Sequence, residues 1–281
     1  MISIIIPAHN EENVIARTLQ PLVQGVIEGW LEVVVVCNGC SDNTPEVARS
    51  VSGAIKCIET PIPSKTNALN LGDAVAKGFP RFYLDADIVL SLESIQQVAA
   101  VLNSGRFLAA APQMQMDIRH ASWSVRSYYE VWNQLPYVQE GMIGTGVYAL
   151  SEEGRKRFAE FPQIIADDGY VRALFQMHER TTVNSCCSLV RGPLTLEGLL
   201  KIKTRSRLGV YELKQKYPDL QRNEDKRYGN AVFKILSKVS LWPMIPVYLY
   251  VNLRTRLLAK KHTRYVGYTG WHRDDSSRVK I

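Results

Sequence analysis

The chain opens on an apolar run, Ser3-Ile4-Ile5-Ile6, stopped by Pro7. A second run, Glu32-Val33-Val34-Val35-Val36-Cys37, shows no polar alternation, as in a parallel-sheet strand covered on both faces. Shorter runs at Ile55–Glu59, Phe82–Leu84 and Phe107–Ala111 predict a third, fourth and fifth strand. Between them apolar residues recur at helical spacing. Val14, Ile15, Leu19, Leu22, Val23, Val26 and Ile27 outline a helix that Pro21 should kink or break. Thr44-Pro45 opens a second helix, running to about Ser52. Ser64-Lys65-Thr66-Asn67 caps a third, and Leu92–Leu102 forms a fourth. This alternation predicts an α/β fold with a doubly wound, mostly parallel sheet. Ligand sites in such a sheet lie at the strand ends, here residues 7–12, 37–44 and 85–87.

The middle of the chain is less regular. Ala121–Gln134 reads as an aromatic helix. Gly141-Met142-Ile143-Gly144-Thr145-Gly146 precedes a short strand, Val147–Leu150. A dinucleotide loop would precede a helix, so these glycines are expected to let backbone approach a bulky ligand. Ile164-Ile165-Ala166 runs into a pair of acids, Asp167 and Asp168. Leu196–Tyr217 is a basic helical stretch, expected to break or bend at Gly209. Val239–Leu253 is the most hydrophobic segment, at about 15 residues against the roughly 20 that a bilayer span needs. It holds two prolines and is flanked by Lys234, Lys238, Arg254, Arg256, Lys260 and Lys261. Trp242, Tyr248 and Tyr250 with basic flanks suit a membrane interface, and a core helix fits the same pattern.

At 281 residues the chain fits one large domain, or one domain with an appendage. The net charge of +7 is unevenly spread. Residues 1–200 carry 15 Lys and Arg against 21 Asp and Glu, a net of −6; residues 201–281 carry 19 against 6, a net of +13. A basic C-terminal part suggests an anionic partner: phospholipid, nucleotide diphosphate or nucleic acid. The five cysteines are odd in number, and the Cys37–Cys40 pair lacks the second pair of a zinc site. Reduced cysteines and a start inside a strand-like run, without a basic leader, predict a cytoplasmic protein with no signal peptide.

The candidate chemistry centres on Arg81-Phe82-Tyr83-Leu84-Asp85-Ala86-Asp87-Ile88-Val89. An apolar strand here ends in two carboxylates, which need a positive partner once desolvated. Magnesium or manganese is the candidate, because two carboxylates with waters and phosphate oxygens suit a hard cation. A helix N-terminus capped by the acids is the other reading, for this pair and for Asp167 and Asp168.

The ordered set PAHNEE after the first strand, NGCSDNT after the second, Lys65-Thr66-Asn67-Ala68-Leu69-Asn70, the DAD of 85–87 and the later ADD resembles a family 2 glycosyltransferase of GT-A fold. The resemblance covers residues 1 to about 210 and implies an inverting enzyme with a nucleotide-diphosphate sugar donor and Mn2+ or Mg2+. It implies domain limits of 1–210 for the transferase and 211–281 for a basic, partly apolar helical region. By resemblance Asp87 is the metal ligand, and Asp85 is its partner, contacting the donor's ribose or sugar. Pro7, Ala8, His9 and Glu11 surround the nucleotide, and Asp168 is the catalytic base beside Asp167, which stands where the family has Glu. Cys37 and Asn38 replace two aspartates common in the family; Asn38 still offers a donor and an acceptor to a base. The QxxRW motif of processive members is absent, with only Lys203, Arg205 and Arg207 near its place, which implies single sugar addition.

The chemistry agrees. A carboxylate removes the acceptor's proton, and a Lewis-acid metal neutralises the leaving diphosphate, helped by Lys65, Arg205 or Arg207. The arginines could equally lie on a solvated helix face. The expected partners are a nucleotide-sugar donor, a glycan or lipid-linked acceptor and an anionic membrane at the inner face of the cell membrane, with no nucleic acid. Two other readings are an NDP-sugar nucleotidyltransferase, which would need a glycine-rich basic loop after its first strand, and an inactive membrane-binding module.

Overall fold

The apolar runs become strands in the computed structural model, which describes residues 1–135, 138, 146–223 and 235–268. β1 (Ile2–Ala8) lies between β2 (Leu31–Asn38) and β4 (Arg81–Leu84), parallel to both, and β3 (Lys56–Thr60) extends the sheet beyond β2. Every residue of β2 is buried, as its unalternating pattern requires. β5 (Val89–Leu90), β6 (Ala109–Asp117), β7 (Val147–Leu150) and β8 (Arg180–Arg191) complete one eight-stranded sheet in the order β3-β2-β1-β4-β7-β6-β8-β5. β7 runs antiparallel to β4 and β6, and β5 antiparallel to β8.

Helices cover both faces. Ile4 and Ile6 pack with Ile15, Leu19, Ala48, Ile95 and Val98, which lie on α1 (Ile15–Leu19), α3 (Thr44–Val51) and α5 (Leu92–Asn103). Ile5, between them in sequence, points the other way and meets Leu69 of α4 (Lys65–Val75). Pro21 acts as expected: a 3-10 turn over Gln20–Leu22 separates α1 from α2 (Val23–Ile27).

Two local expectations are corrected. The fifth strand starts at Ala109 and continues to Asp117, past Pro112. Its pairing with β8 shifts register between Pro112 and Gln113, so the proline sits at an irregularity where no ladder bond is needed. Gly209 does not break its helix: α9 (Leu196–Lys216) is continuous. A Cβ at Gly209 would lie 2.7 Å from Ala166 Cβ and 3.2 Å from its backbone nitrogen. The glycine therefore serves close packing, and the bonds on either side of it keep the helix intact.

A second helical layer is built from α6 (Trp123–Trp132), α9 and α10 (Ile245–Tyr265), around Val125, Tyr128, Tyr129, Trp132, Leu199 and Val251. Tyr128 stacks on Tyr248 at 5.3 Å. Along α10, Val251, Thr255 and Ala259 are buried, whereas Leu249, Leu253 and Leu257 are 59%, 61% and 53% exposed. One face of the most hydrophobic segment is thus core, and the other is apolar and open. No described helix is long and apolar enough to cross a membrane. α9 runs through residue 210, so the expected domain limit lies inside a helix.

Candidate active site

The turn after β4 is held from two sides. Asp85 donates its backbone N–H to Gly146 O at 2.7 Å, just ahead of β7. Gly146 has φ +83°, and a Cβ there would lie 2.8 Å from Ile88 Cγ1 and 3.1 Å from Asp85 Oδ2. Any side chain would be strained and would press on the carboxylate. From the opposite face, Thr18 of α1 donates to Ala86 O at 2.7 Å, and the Arg17 guanidinium donates to Asp87 O at 3.1 Å. The Arg17 charge lies near Asp87, Asp117 and Arg191.

Lys65 is the first residue of α4, whose N-cap Ser64 accepts from Asn67 N–H. Its ammonium lies 2.7 Å from Asp85 Oδ1 and 3.1 Å from Asp167 Oδ1. Asp167 and Asp168 occupy the first turn of α8 (Asp167–Ala173), preceded by a short helix, α7 (Glu152–Arg155). Asp168 Oδ1 accepts the Gly169 N–H at 2.7 Å. Asp167 is 3% exposed, and its Oδ2 has no hydrogen-bond partner among the described residues.

Burial opposes the charge on Lys65, but Asp167, Asp85 and Asp168 outweigh it and hold the ammonium above the ordinary lysine range. Burial also dominates at Asp167: with Asp168 and Asp85 adding repulsion, it pushes the carboxyl up to about 6 against the pull of Lys65. The bridge is asymmetric. The lysine stays charged, and the carboxyl, ionised above about 6, is the partner whose charge burial opposes.

Pro7, Lys65, Asp85, Tyr148, Asp167 and Asp168 line one cleft. Tyr148 had no signal beyond its place in a short strand after glycines. The acid-bearing segment is held by α9: Glu212 Oε2 accepts the Ile165 N–H at 2.7 Å, and Gly209 lets Ala166 approach. These two positions were likewise not singled out as site residues by sequence reasoning.

The other expected residues lie around this centre. Ala8 O accepts from the Asn38 side-chain amide at 2.9 Å, and His9 Nδ1 lies 2.6 Å from Asn38 O. Glu11 is buried, with its N–H bonded to Thr44 Oγ1 and its carbonyl accepting from Val14 and Ile15. Asp87 follows Asp85 on the Arg17 side of the turn and is absent from the cleft lining. Arg205 is half-buried on α9. Arg207 donates to Thr255 Oγ1 at 2.8 Å and Asn252 Oδ1 at 2.6 Å, fastening α9 to α10. Neither arginine lines the cleft. Of the glycine-spaced loop, residues 141–145 lie outside the described residues. Among the described residues no three His, Cys, Asp or Glu side chains are grouped so as to hold a metal ion.

Residues 3–149 match the model of glycosyl transferase family 2. The chain is similar to a probable glycosyltransferase, YdaM, of Bacillus subtilis, at 34% identity over 128 residues, covering 39% of this chain and 30% of that protein. It is also similar to the glycosyltransferase AglD of Haloferax volcanii, at 27% identity over 129 residues, covering 43% of this chain and 20% of that protein. The chain therefore matches less than a third of the length of either relative. Among solved structures it resembles the mannosyltransferase PcManGT of Pyrobaculum calidifontis, with a TM-score of 0.62 at 18% identity over 95% of this chain and 81% of that one. It also resembles the glucosyl-3-phosphoglycerate synthase of Mycobacterium tuberculosis, with a TM-score of 0.55 at 18% identity over 77% and 79% of the two chains. At these identities the likeness is one of fold, the GT-A arrangement.

Proposed function

Because the chain belongs to glycosyl transferase family 2, we propose that this glycosyltransferase moves one sugar from a nucleotide-diphosphate sugar to a lipid-linked or polysaccharide acceptor, with inversion and a divalent cation. The observation that carries this reading is the Lys65 ammonium bridging Asp85 and Asp167, with Asp168 on the same cleft. The donor class is supported by the similar structures, one solved with GDP-Man and Mn2+ and the other with Mg2+ and UDP.

Inverting transfer is a single displacement. The acceptor oxygen bonds to the anomeric carbon as the bond to the diphosphate oxygen breaks. Asp168 takes the acceptor's proton, and Asp167, deeper and harder to ionise, backs the sugar. The leaving diphosphate gains negative charge, and Lys65 is the preorganised cation on the cleft wall. Arg207 is engaged with α10, and Lys65, although held by Asp85 and Asp167, is the cation that lines the cleft. Asp85, now bonded to Lys65, and Asp87, two residues on, would hold the divalent cation, since carboxylate oxygens are what magnesium and manganese take. When bound, such a cation supplies Lewis-acid neutralisation of the diphosphate.

The loop from Pro7 to Glu11 and Asn38 receive the nucleotide. With its amide hydrogens directed at Ala8 O, Asn38 offers a base its Oδ1. An acceptor in that place favours a base with an imino N–H, which uracil and guanine both carry. The open leucine face of α10 and the basic residues beside it support attachment to the inner face of an anionic membrane, where a lipid-linked acceptor resides.

The test is incubation with Mn2+ and a panel of UDP- and GDP-sugars. Release of nucleoside diphosphate with sugar transfer, and an inverted anomer by NMR, is the expected result. Pyrophosphate-dependent exchange would indicate a nucleotidyltransferase, and no turnover of any donor would sink the reading.

A further inference from the structure

Tyr148 is 4% exposed, and its hydroxyl has no hydrogen-bond partner among the described residues. A buried phenol without a partner is uncommon, because leaving it unmade is costly. Its neighbour on the sheet shows the usual solution: Tyr83, stacked on Tyr148 at 5.0 Å between ring centres, donates to Asp73 Oδ1 at 2.9 Å. Asp73 is also held by Arg81 and Arg155. Tyr148 has no such arrangement, although both rings border the active-site cleft. A second orphan lines the same cleft, Asp167 Oδ2. One atom can donate and the other accepts. A hydroxyl group in the cleft within reach of both could accept from the phenol and donate to the carboxylate.

We propose that Tyr148 is a sugar-specificity residue, which with Asp167 Oδ2 reads one hydroxyl of the donor's sugar. This rests on the transferase reading above. The donor is favoured over the acceptor by position. Tyr148 pairs with Tyr83, Val147 with Leu84, and Gly146 then meets Asp85, so Tyr148 lies beneath the acid expected at the donor. Asp168, the expected base, is less buried than Asp167, which places the acceptor nearer the mouth. Tyr83, itself bonded to Asp73, stacks on the Tyr148 ring and holds it in place before any substrate arrives.

The experiment uses the full chain with Mn2+ and calorimetric titration of UDP-glucose, UDP-galactose, UDP-N-acetylglucosamine and GDP-mannose. The donor that binds is then compared with its monodeoxy analogues and with UDP or GDP alone. Wild type should bind one analogue about tenfold more weakly than the parent, the size of one lost hydrogen bond in a dry site. Tyr148→Phe keeps the ring stack. It should bind the parent about tenfold more weakly, no longer distinguish that analogue, and bind the bare nucleotide as wild type does. Asp167→Asn should lose discrimination at the same hydroxyl. The inference is overturned if Tyr148→Phe matches wild type on every donor and analogue, or if the two variants affect different hydroxyls. If wild type binds none of the sugar nucleotides, the transferase reading itself fails and takes this inference with it.

Discussion

Glu212 accepts the backbone N–H of Ile165 at 2.7 Å, two residues before the buried acid of the cleft. Glu212 is itself buried on α9 and paired with Lys216. One turn earlier on the same helix, Gly209 is the gap into which Ala166 fits. α9 thus sets where Asp167 and Asp168 start their helix, although it contributes nothing to the cleft wall.

Gly209→Ala tests that relationship. The new methyl would stand 2.7 Å from Ala166 Cβ, so either α9 or the acid-bearing segment must move. Overpacking of this kind costs about 1–3 kcal/mol, and a displacement near 1 Å at the acids should lower kcat about 100-fold. Thermal melting and donor turnover measure the two effects. A variant with wild-type kcat would show that the acids are positioned by something other than α9.

Asp168→Asn keeps the shape of the side chain and removes its ability to accept a proton. We expect donor affinity to persist while kcat falls by roughly 10²–10⁴-fold. Asp167→Asn is the comparison, since its carboxyl sits up at about 6 and bonds Lys65. If Asp168→Asn turns over normally and Asp167→Asn does not, the base is Asp167.

Much of this arrangement is legible in residue order. β1, β2 and β4 are buried runs, and the acids stand out because each pair ends an apolar stretch. β7 was found as a strand, but its antiparallel partners were not, because that pairing is set by the sheet. Gly209 illustrates a different limit. Helix propensity argues for a break there, and only contact with Ala166 explains why the helix tolerates glycine. Arg207 and Lys65 show it again. Both are basic residues that could serve a diphosphate, yet one is bonded to Thr255 and Asn252 while the other stands between two carboxylates. Tyr148 gave no signal because a phenol's missing partner is a property of packing alone.

Asp87→Ala should abolish the metal-dependent part of donor binding. The substitution removes one of two carboxylates from the expected cation site and leaves the Lys65 bridge in place. Titration of donor with and without Mn2+ reads this directly. An affinity that still rises with Mn2+ in the variant would move the metal role away from Asp87.

Glu32 provides a pH test of the fold that is independent of the site. Burial raises its pKa, but bonds from Lys56, the Lys77 N–H and Ser3 outweigh that and hold it down to about 2, against an ordinary 4.5. A folded value below the unfolded one means stability that is complete above about pH 4.5 and lost as pH falls towards 2. The contribution is at most about 3 kcal/mol, less where solvent reaches the Lys56 bond. Urea melts of wild type should lose that amount across this window, and Glu32→Gln should show a flatter acid limb. Parallel acid limbs would mean that the carboxylate is ordinary.

The membrane reading rests on α10, and the packing of α10 dictates how to test it. Deleting the helix would expose Val125, Tyr128 and Leu199, whose cluster includes Val251, so loss of the fold would be confused with loss of binding. The outward stripe can be changed without that risk. Leu249, Leu253 and Leu257 recur every four residues and are more than half exposed, and Arg254, Arg256, Lys260 and Lys261 are exposed beside them. Lying in the interface, each leucine contributes up to roughly 1.5–3 kcal/mol, and each basic residue near anionic lipid adds about 1 kcal/mol. Wild type should therefore float with anionic vesicles at low salt, float less as salt screens the charges, and stay down with neutral vesicles of the same size. Leu249→Glu combined with Leu253→Glu should stay in solution at every salt concentration, with its melting temperature and its turnover of a soluble acceptor unchanged. If wild type stays off anionic vesicles at low salt, the leucine face meets something other than a bilayer.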